Sequence, residues 1–283
     1  MRTSSSLATA PLTSIEIADM AVAALHAEAD LTPKPGLVDQ RGRGAHTDMD
    51  LAVLHASADS LHLAFAECAS AATQSLADDE LRARLGEIGR AGERDMLAVT
   101  GGVNTHRGAL WALGLLSAGA ALGADAVAVA ARLAAIPDPH GPSTASHGAR
   151  VRQRYGVSGA TGEAQAGFPH VRLHALPALR ASRRSGADEG TARLTALLAL
   201  MATLEDTCVL HRGGPDGLSA VQAGARAVLD AGGIGTPEGR HHFTALDELC
   251  LSGRLSPGGS GDLLSATVFL DALDAEGLTP CRP

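Results

Sequence analysis

The chain has 283 residues, enough for one large or two modest domains. Acidic residues outnumber basic ones, 31 against 23, for a formal net charge of -8; this excludes a general nucleic-acid binder, which needs a basic footprint, but not one local basic cluster around a nucleotide. Hydrophobic residues make up 45% and aromatic residues only 2%, so the core must come from Ala, Leu and Val, a composition suited to closely packed helices.

In chain order, the first predicted helix runs from Ser14 to Ala29, with Ser14 as cap and Glu16 in its first turn, and Pro33 and Pro35 stop it. The stretch from Thr32 to Asp50, "TPKPGLVDQRGRGAHTDMD", has no apolar period of 3.6 or 2. Packing does not explain it, and its density of Lys, Arg, His and Asp points to something held. In the next helix, Leu51, Leu54, Ala58, Leu61, Phe65 and Cys68 recur at alternating steps of three and four, one continuous apolar face capped by Asp48 or Thr47. A third helix covers Asp79 to Val99. "TGGVNTH" separates it from a fourth beginning near Asn104, and Gly123 and Ala124 divide that from a fifth, which Pro137 ends.

The polar segment from Pro137 to Val171 is longer than a structureless loop in a compact domain usually is, and reads as functional or mobile. Further helices are predicted over His170–Ser182, Glu189–Asp206, Leu218–Ala231, Thr244–Leu251 and Gly261–Ala275. No repeat and no βαβ period is visible. The reading is an all-α fold, one globular domain over 13–276 of about nine or ten helices with glycine-rich junctions, between a flexible leader at 1–12 and a tail at 277–283.

Cys68, Cys208, Cys250 and Cys281 form no CxxC pair, so neither a zinc pattern nor a disulfide scaffold is expected. The N-terminus lacks the apolar h-region of a signal peptide. The longest uncharged stretch, Gly108 to Ala124, falls short of the roughly 20 residues of a membrane span and is broken by glycines. No membrane is expected, and a cytoplasmic location is.

Four junctions carry the unusual chemistry: the 32–50 stretch, "GERDMLAVTGGVNTHRG", "GATGEAQAGFP" with "LEDTCVLHRGG", and "SPGGSGDLLSAT". Each sets glycine-rich backbone against a helix end, and a helix N-terminus is a ready anion site. In "TGGVNTHRG", with Asn104 or Thr105 as cap, His106 and Arg107 oppose the helix dipole unless an anion is shared there. His46 and Asp50, four apart, are expected on one face, with Asp48 pointing away as a cap. Glu205 and Asp206 end an apolar helix against its dipole, and Asp262 begins the last helix. Neither a P-loop nor a dinucleotide fingerprint is present.

Together, "TPKPGLVD", "GAHTDMD", "TGGVNTHRGAL", "GEAQAGFP", "LEDT" with "HRGG", and "SPGGSGDLLSAT" resemble the family of triphosphoribosyl-dephospho-coenzyme A synthases, in order, from Glu28 to Phe269. Two departures stand out. "GATGEA" has Thr161 where the family pattern leads one to expect an Arg, and the loop "QRGRGAH" lacks an Asn before "GAH"; Arg43 and Arg150 are candidates for the missing charge. The resemblance implies an all-α enzyme that joins the triphosphoribosyl part of ATP to 3′-dephospho-coenzyme A and releases adenine. The product is the prosthetic-group precursor of malonate decarboxylase or citrate lyase, the former branch being preferred.

Such a reaction breaks an N-glycosidic bond, with one carboxylate deprotonating the ribose 2′-hydroxyl and another group assisting the base. On this reading Glu163, Asp206 and Asp262 are the catalytic candidates. Lys34, Pro35, Gly36, Arg43, His46, Gly101, Gly102, Asn104, His106, Arg107, Arg212, Ser256, Gly258 and Gly259 are the nucleotide contacts. Asp39, Asp48 and Asp50 are the ligands for the Mg²⁺ expected with ATP. The expected partners are ATP and 3′-dephospho-coenzyme A, with no nucleic acid, a homodimer as candidate assembly, and the acyl carrier subunit of malonate decarboxylase as the product's destination. The competing readings are a Mg²⁺-dependent hydrolase of N-glycosidic or ADP-ribose-type bonds and a non-catalytic nucleotide-binding assembly subunit.

Overall fold

In a computed structural model, which describes residues 11–74, 76–123, 125–141 and 147–276, the chain folds as a single all-α domain. Apart from residues 11 and 12, the expected leader and tail lie outside this range. α1 (Ser14–Ala29) opens on a capping box in which Thr13 and Glu16 exchange hydrogen bonds, one residue before the expected cap at Ser14. The single helix predicted after the charged loop is two, α2 (Leu51–Ser60) and α3 (His62–Ala72). The Ser60 hydroxyl donates to the Ser57 carbonyl and the Leu61 N–H to Ala58, so the turn tightens there. The apolar face nevertheless stays on one side, with Leu54, Ala58, Leu61, Phe65 and Cys68 all buried.

α4 (Asp78–Val99), α5 (Arg107–Ala121) and α6 (Ala126–Ala135) follow the expected order. α5 is the central helix: nearly every side chain from Ala109 to Ala120 is buried, and it packs on α3, α4, α6 and α1. Its Ala and Gly residues let these neighbours approach closely, which explains how a core almost without aromatics closes. The long polar segment is not structureless, since it carries α7 (His147–Tyr155) and α8 (Gly159–Gln165). A π-helical turn at Val171–Ala175 leads into α9 (Leu176–Arg184).

α10 (Glu189–Thr203) stops earlier than predicted. Leu204 turns extended, and Asp206 caps the next helix, α11 (Thr207–Asp230), by accepting from Cys208 and Val209 N–H groups. Asp206 therefore does not oppose the dipole of α10; it complements that of α11. The "RGGPDG" run that suggests a helix start near Leu218 is a kink inside α11, at Gly214 with φ 62° and ψ −165°. Only glycine takes that backbone region without strain. α12 (Pro237–Ser252) and α13 (Gly258–Ala275) complete the domain, and α13 packs against α1, α5 and α10. Because α13 starts at Gly258, Asp262 is not its cap but lies in its second turn. No single described helix is long and apolar enough to cross a membrane.

Candidate functional site

The 32–50 loop is organised from inside by its own charges. Lys34 is fully buried, and its ammonium donates to the carbonyls of Glu28 (2.6 Å) and Ala29 (3.2 Å) and to the Glu28 carboxylate (2.8 Å). All three of its protons are spent on the C-terminal turn of α1, where a cation suits the helix dipole. In this arrangement Lys34 has no proton left for a phosphate, contrary to the expected role. Asp39 is buried too, and accepts from Lys34 N–H, Arg41 N–H and the Arg41 guanidinium. Arg41 reaches on to Asp247 of α12 at 2.6 Å, and Asp247 also accepts from Gly36 N–H, so the loop is stapled to that helix. Pro35 and Gly36 lie buried beneath the staple.

Asp50 caps α2 through Val53 N–H and pairs with Arg43. Asp48 is exposed, 3.6 Å from His46, so it is Asp48 and not Asp50 that shares a face with His46. Asp39, Asp48 and Asp50 therefore do not meet, and among the described residues no three His, Cys, Asp or Glu side chains are grouped to hold a metal. The expected Mg²⁺ ligand set does not fit this geometry.

Behind the loop, three helix starts share acids. Asp206 accepts from Ser260 N–H (2.8 Å), Ser260 Oγ (3.0 Å) and Gly259 N–H (3.3 Å) besides capping α11, so one carboxylate caps both α11 and α13. Burial pushes its carboxyl upward while these donors pull it down. Asp262 of α13 leans on the first turn of α5, where a Cβ at Gly108 would collide with its Oδ2. Burial, with Glu28 and Asp206 nearby, raises Asp262 well above the usual carboxylate range. It is the carboxyl best placed to keep its proton near neutrality.

At the start of α5, Asn104 Oδ1 accepts from Arg107 N–H as expected of a cap, and Arg107 pairs with Glu93 of α4. Gly101 and Gly102 form an exposed left-handed turn closing α4. His106 is buried. Ser57 Oγ holds its Nδ1 at 2.7 Å, Thr105 Oγ1 holds that same hydroxyl, and Nε2 has no partner. Burial pushes the imidazole down to about 4, so at neutral pH it is uncharged and brings no positive charge to a phosphate. His46 is likewise held down by burial and by Arg212. It bonds Ser256 Oγ at 2.7 Å and faces Arg212, which also donates to the carbonyls of Ala45 and Arg254. The loop, α11 and the Ser256–Gly258–Gly259 approach to α13 are thereby tied together.

Glu163, on the short α8, is buried with both oxygens engaged by one residue: Oε1 by His170 N–H (2.9 Å) and Oε2 by His170 Nδ1 (2.7 Å). The intervening turn forces Phe168 to φ 53°, a strained value for a non-glycine residue. The Glu163 hydrogen bond raises His170, and the Thr203 carbonyl and Glu205 add to this. Thr161 accepts from Arg152 of α7 at 3.1 Å, so the guanidinium near this position comes from Arg152, not Arg43 or Arg150.

The structure thus joins the loop, α11 and α13 through His46, Arg212, Ser256 and Asp206, and α13 to α5 through Asp262. It does not join the three metal candidates. Sequence reasoning misses Glu28, Ser57, Arg152, His170, Asp247 and Ser260. Only Glu28 carries a signal: it is an acid in the last turn of a helix, against the dipole, six residues before a lysine.

The family described as ATP:dephospho-CoA triphosphoribosyl transferase matches residues 14–280. A probable 2-(5''-triphosphoribosyl)-3'-dephosphocoenzyme-A synthase of Stutzerimonas stutzeri (strain A1501) is 57% identical over 278 residues, 96% of each chain. Similarly named proteins of Azotobacter vinelandii (strain DJ / ATCC BAA-1303) and Pseudomonas aeruginosa (strain UCBPP-PA14) are 56% identical over 95% of each chain and 53% identical over 92% of this chain and 91% of the relative. No solved structure matches. The chain belongs to the ATP:dephospho-CoA triphosphoribosyl transferase family.

Proposed function

We propose that the protein transfers the triphosphoribosyl part of ATP to the ribose 2′-hydroxyl of 3′-dephospho-coenzyme A. The hydroxyl oxygen bonds to the ribose C1 of ATP, the bond from that carbon to adenine breaks, the hydroxyl proton goes to a base, and adenine leaves with a proton. The observation that carries the reading is the match along residues 14–280, supported by the way its scattered motif segments meet at the starts of α5, α11 and α13.

In this reading Glu163 and His170 handle the hydroxyl proton, the carboxylate holding the ring by Nδ1 and by the backbone. Asp262, whose carboxyl burial raises well above the usual carboxylate range, suits a donor toward the departing base. Asp206 is assigned to architecture, because its oxygens are occupied by backbone donors of two helices. The product's destination is proposed to be the acyl carrier subunit of malonate decarboxylase, on the resemblance alone. Mass analysis after incubation with ATP and dephospho-coenzyme A should show a product equal to the two substrates less adenine. ADP or AMP as the product would rule the reading out.

A further inference from the structure

Some described arginines end on carboxylates, as Arg43 does on Asp50 and Arg107 on Glu93, and others, such as Arg226 and Arg240, on backbone carbonyls. Four of the arginines without an ion pair gather around the kink of α11. Among the described residues, no carboxylate lies within ion-pair distance of Arg152, Arg154, Arg212 or Arg254. They come from three segments but one place. The Arg152 stem and Thr207, the first residue of α11, flank the same point, 3.1 and 3.3 Å from where a Cβ at Gly159 would sit. The Arg154 guanidinium lies 5.1 Å from the centre of the Tyr155 ring. The Tyr155 hydroxyl sits 3.8 Å from where a Cβ at Gly214 would be. On the other side of the kink Gly213 and Gly217 pack on Leu255, next to Arg254, whose carbonyl accepts from Arg212 at 3.2 Å. His46, which faces Arg212, is held toward its neutral form; the charged groups of opposite sign nearby are Asp48, 3.6 Å from the same His46 nitrogen, and Asp216 in the kink itself, neither of them within ion-pair distance of the four arginines.

Four arginines gathered at one spot, none with an ion-pair partner among the described residues, repel one another. A chain of linked phosphates satisfies them, since the planar guanidinium binds phosphate oxygens by paired, charge-assisted hydrogen bonds. We propose that the α11 kink is a polyphosphate-binding surface, formed by Arg152, Arg154, Arg212 and Arg254, that receives the triphosphate of ATP. The kink supplies the shape: Gly214 breaks α11 and brings α7 and the turn between α12 and α13 to the same place. The choice of ATP rests on the function proposed above; the binding of linked phosphates does not.

The test is calorimetric titration of the full chain with inorganic tripolyphosphate and, separately, pyrophosphate. Arg152→Gln/Arg154→Gln should weaken tripolyphosphate binding by about tenfold or more, since each charge-assisted hydrogen bond lost costs on the order of 1.5–3 kcal/mol, while the thermal melt stays as in wild type. Arg132→Gln, which loses an exposed pair with Asp78 and is none of the four arginines, should bind like wild type. In steady-state kinetics the double variant should raise KM for ATP and leave KM for dephospho-coenzyme A in place. Unchanged tripolyphosphate affinity in the double variant overturns the proposal, as does a rise confined to KM for dephospho-coenzyme A, which would assign the surface to that substrate's diphosphate. If tripolyphosphate binding depends on Arg152 and Arg154 but no transfer to dephospho-coenzyme A occurs, the phosphate surface stands and the proposed reaction falls.

Discussion

Lys34 and Glu28 illustrate why charge in a motif is a poor guide to which atoms face a ligand. Both are buried, and the ammonium closes the end of α1. Removing one member of a buried pair leaves the other uncompensated, so Lys34→Met should cost about 3–5 kcal/mol in urea denaturation. Lys34→Met/Glu28→Leu should recover much of that. A Lys34→Met protein as stable as wild type, but unable to bind ATP, would return Lys34 to the ligand. The Glu163–His170 pair makes two further expectations. Glu163→Gln should lower kcat about 10²- to 10⁴-fold with ATP affinity little changed; near wild-type turnover would remove the pair from the mechanism. Because the folded protein raises His170 above its ordinary 6.5, the pair's contribution is complete below that value and fades as pH climbs through the raised one. Denaturation across about pH 5 to 9 should show the stability gap between wild type and His170→Gln widest at the acid end and closing toward the alkaline end. A gap that widens with pH would show the sign to be wrong.

At the scale of elements, the carboxylate of Asp206 is the joint between α11 and α13, and its replacement by Ala should uncap both. With about 0.5–2 kcal/mol for each cap, Asp206→Ala should lose about 1–4 kcal/mol. An unaffected melt would separate the two helix starts energetically. Leu61 is buried where α2 gives way to α3, and Leu61→Ala should cost about 2–5 kcal/mol; a shift in melting too small for that range would mean the α2–α3 break relaxes to fill the space. These elements also show what sequence can resolve. The 3.6-residue apolar face marks which side of residues 51–68 is buried, because burial follows periodicity. It misses the break at Leu61, because that depends on a hydroxyl-to-carbonyl bond from Ser60 that leaves the pattern intact. The kink at Gly214 passes for a boundary, since Gly-Gly-Pro reads the same at a helix end and inside a bent helix. α7 and α8 escape notice because neither is long enough to show an apolar period.

For the whole molecule, the all-α class follows from composition: a core of Ala and Leu with 2% aromatics packs as helices. The site is legible as a set of glycine-rich junctions and not as a set of roles. The staple from the charged loop to α12 leaves no local trace, and Asp247, 206 residues from Arg41, cannot be paired with it by spacing. Family membership narrows the chemistry, and in the proposed reading Asp206 goes to the architecture and Glu163 with His170 to the proton. The central claim is that a ribose hydroxyl of dephospho-coenzyme A, not water, displaces adenine. The most direct measurement follows free adenine from ATP with and without dephospho-coenzyme A. Adenine should appear only with the acceptor and in equal amount to the coupled product; release at the same rate without the acceptor would contradict the account and identify a hydrolase.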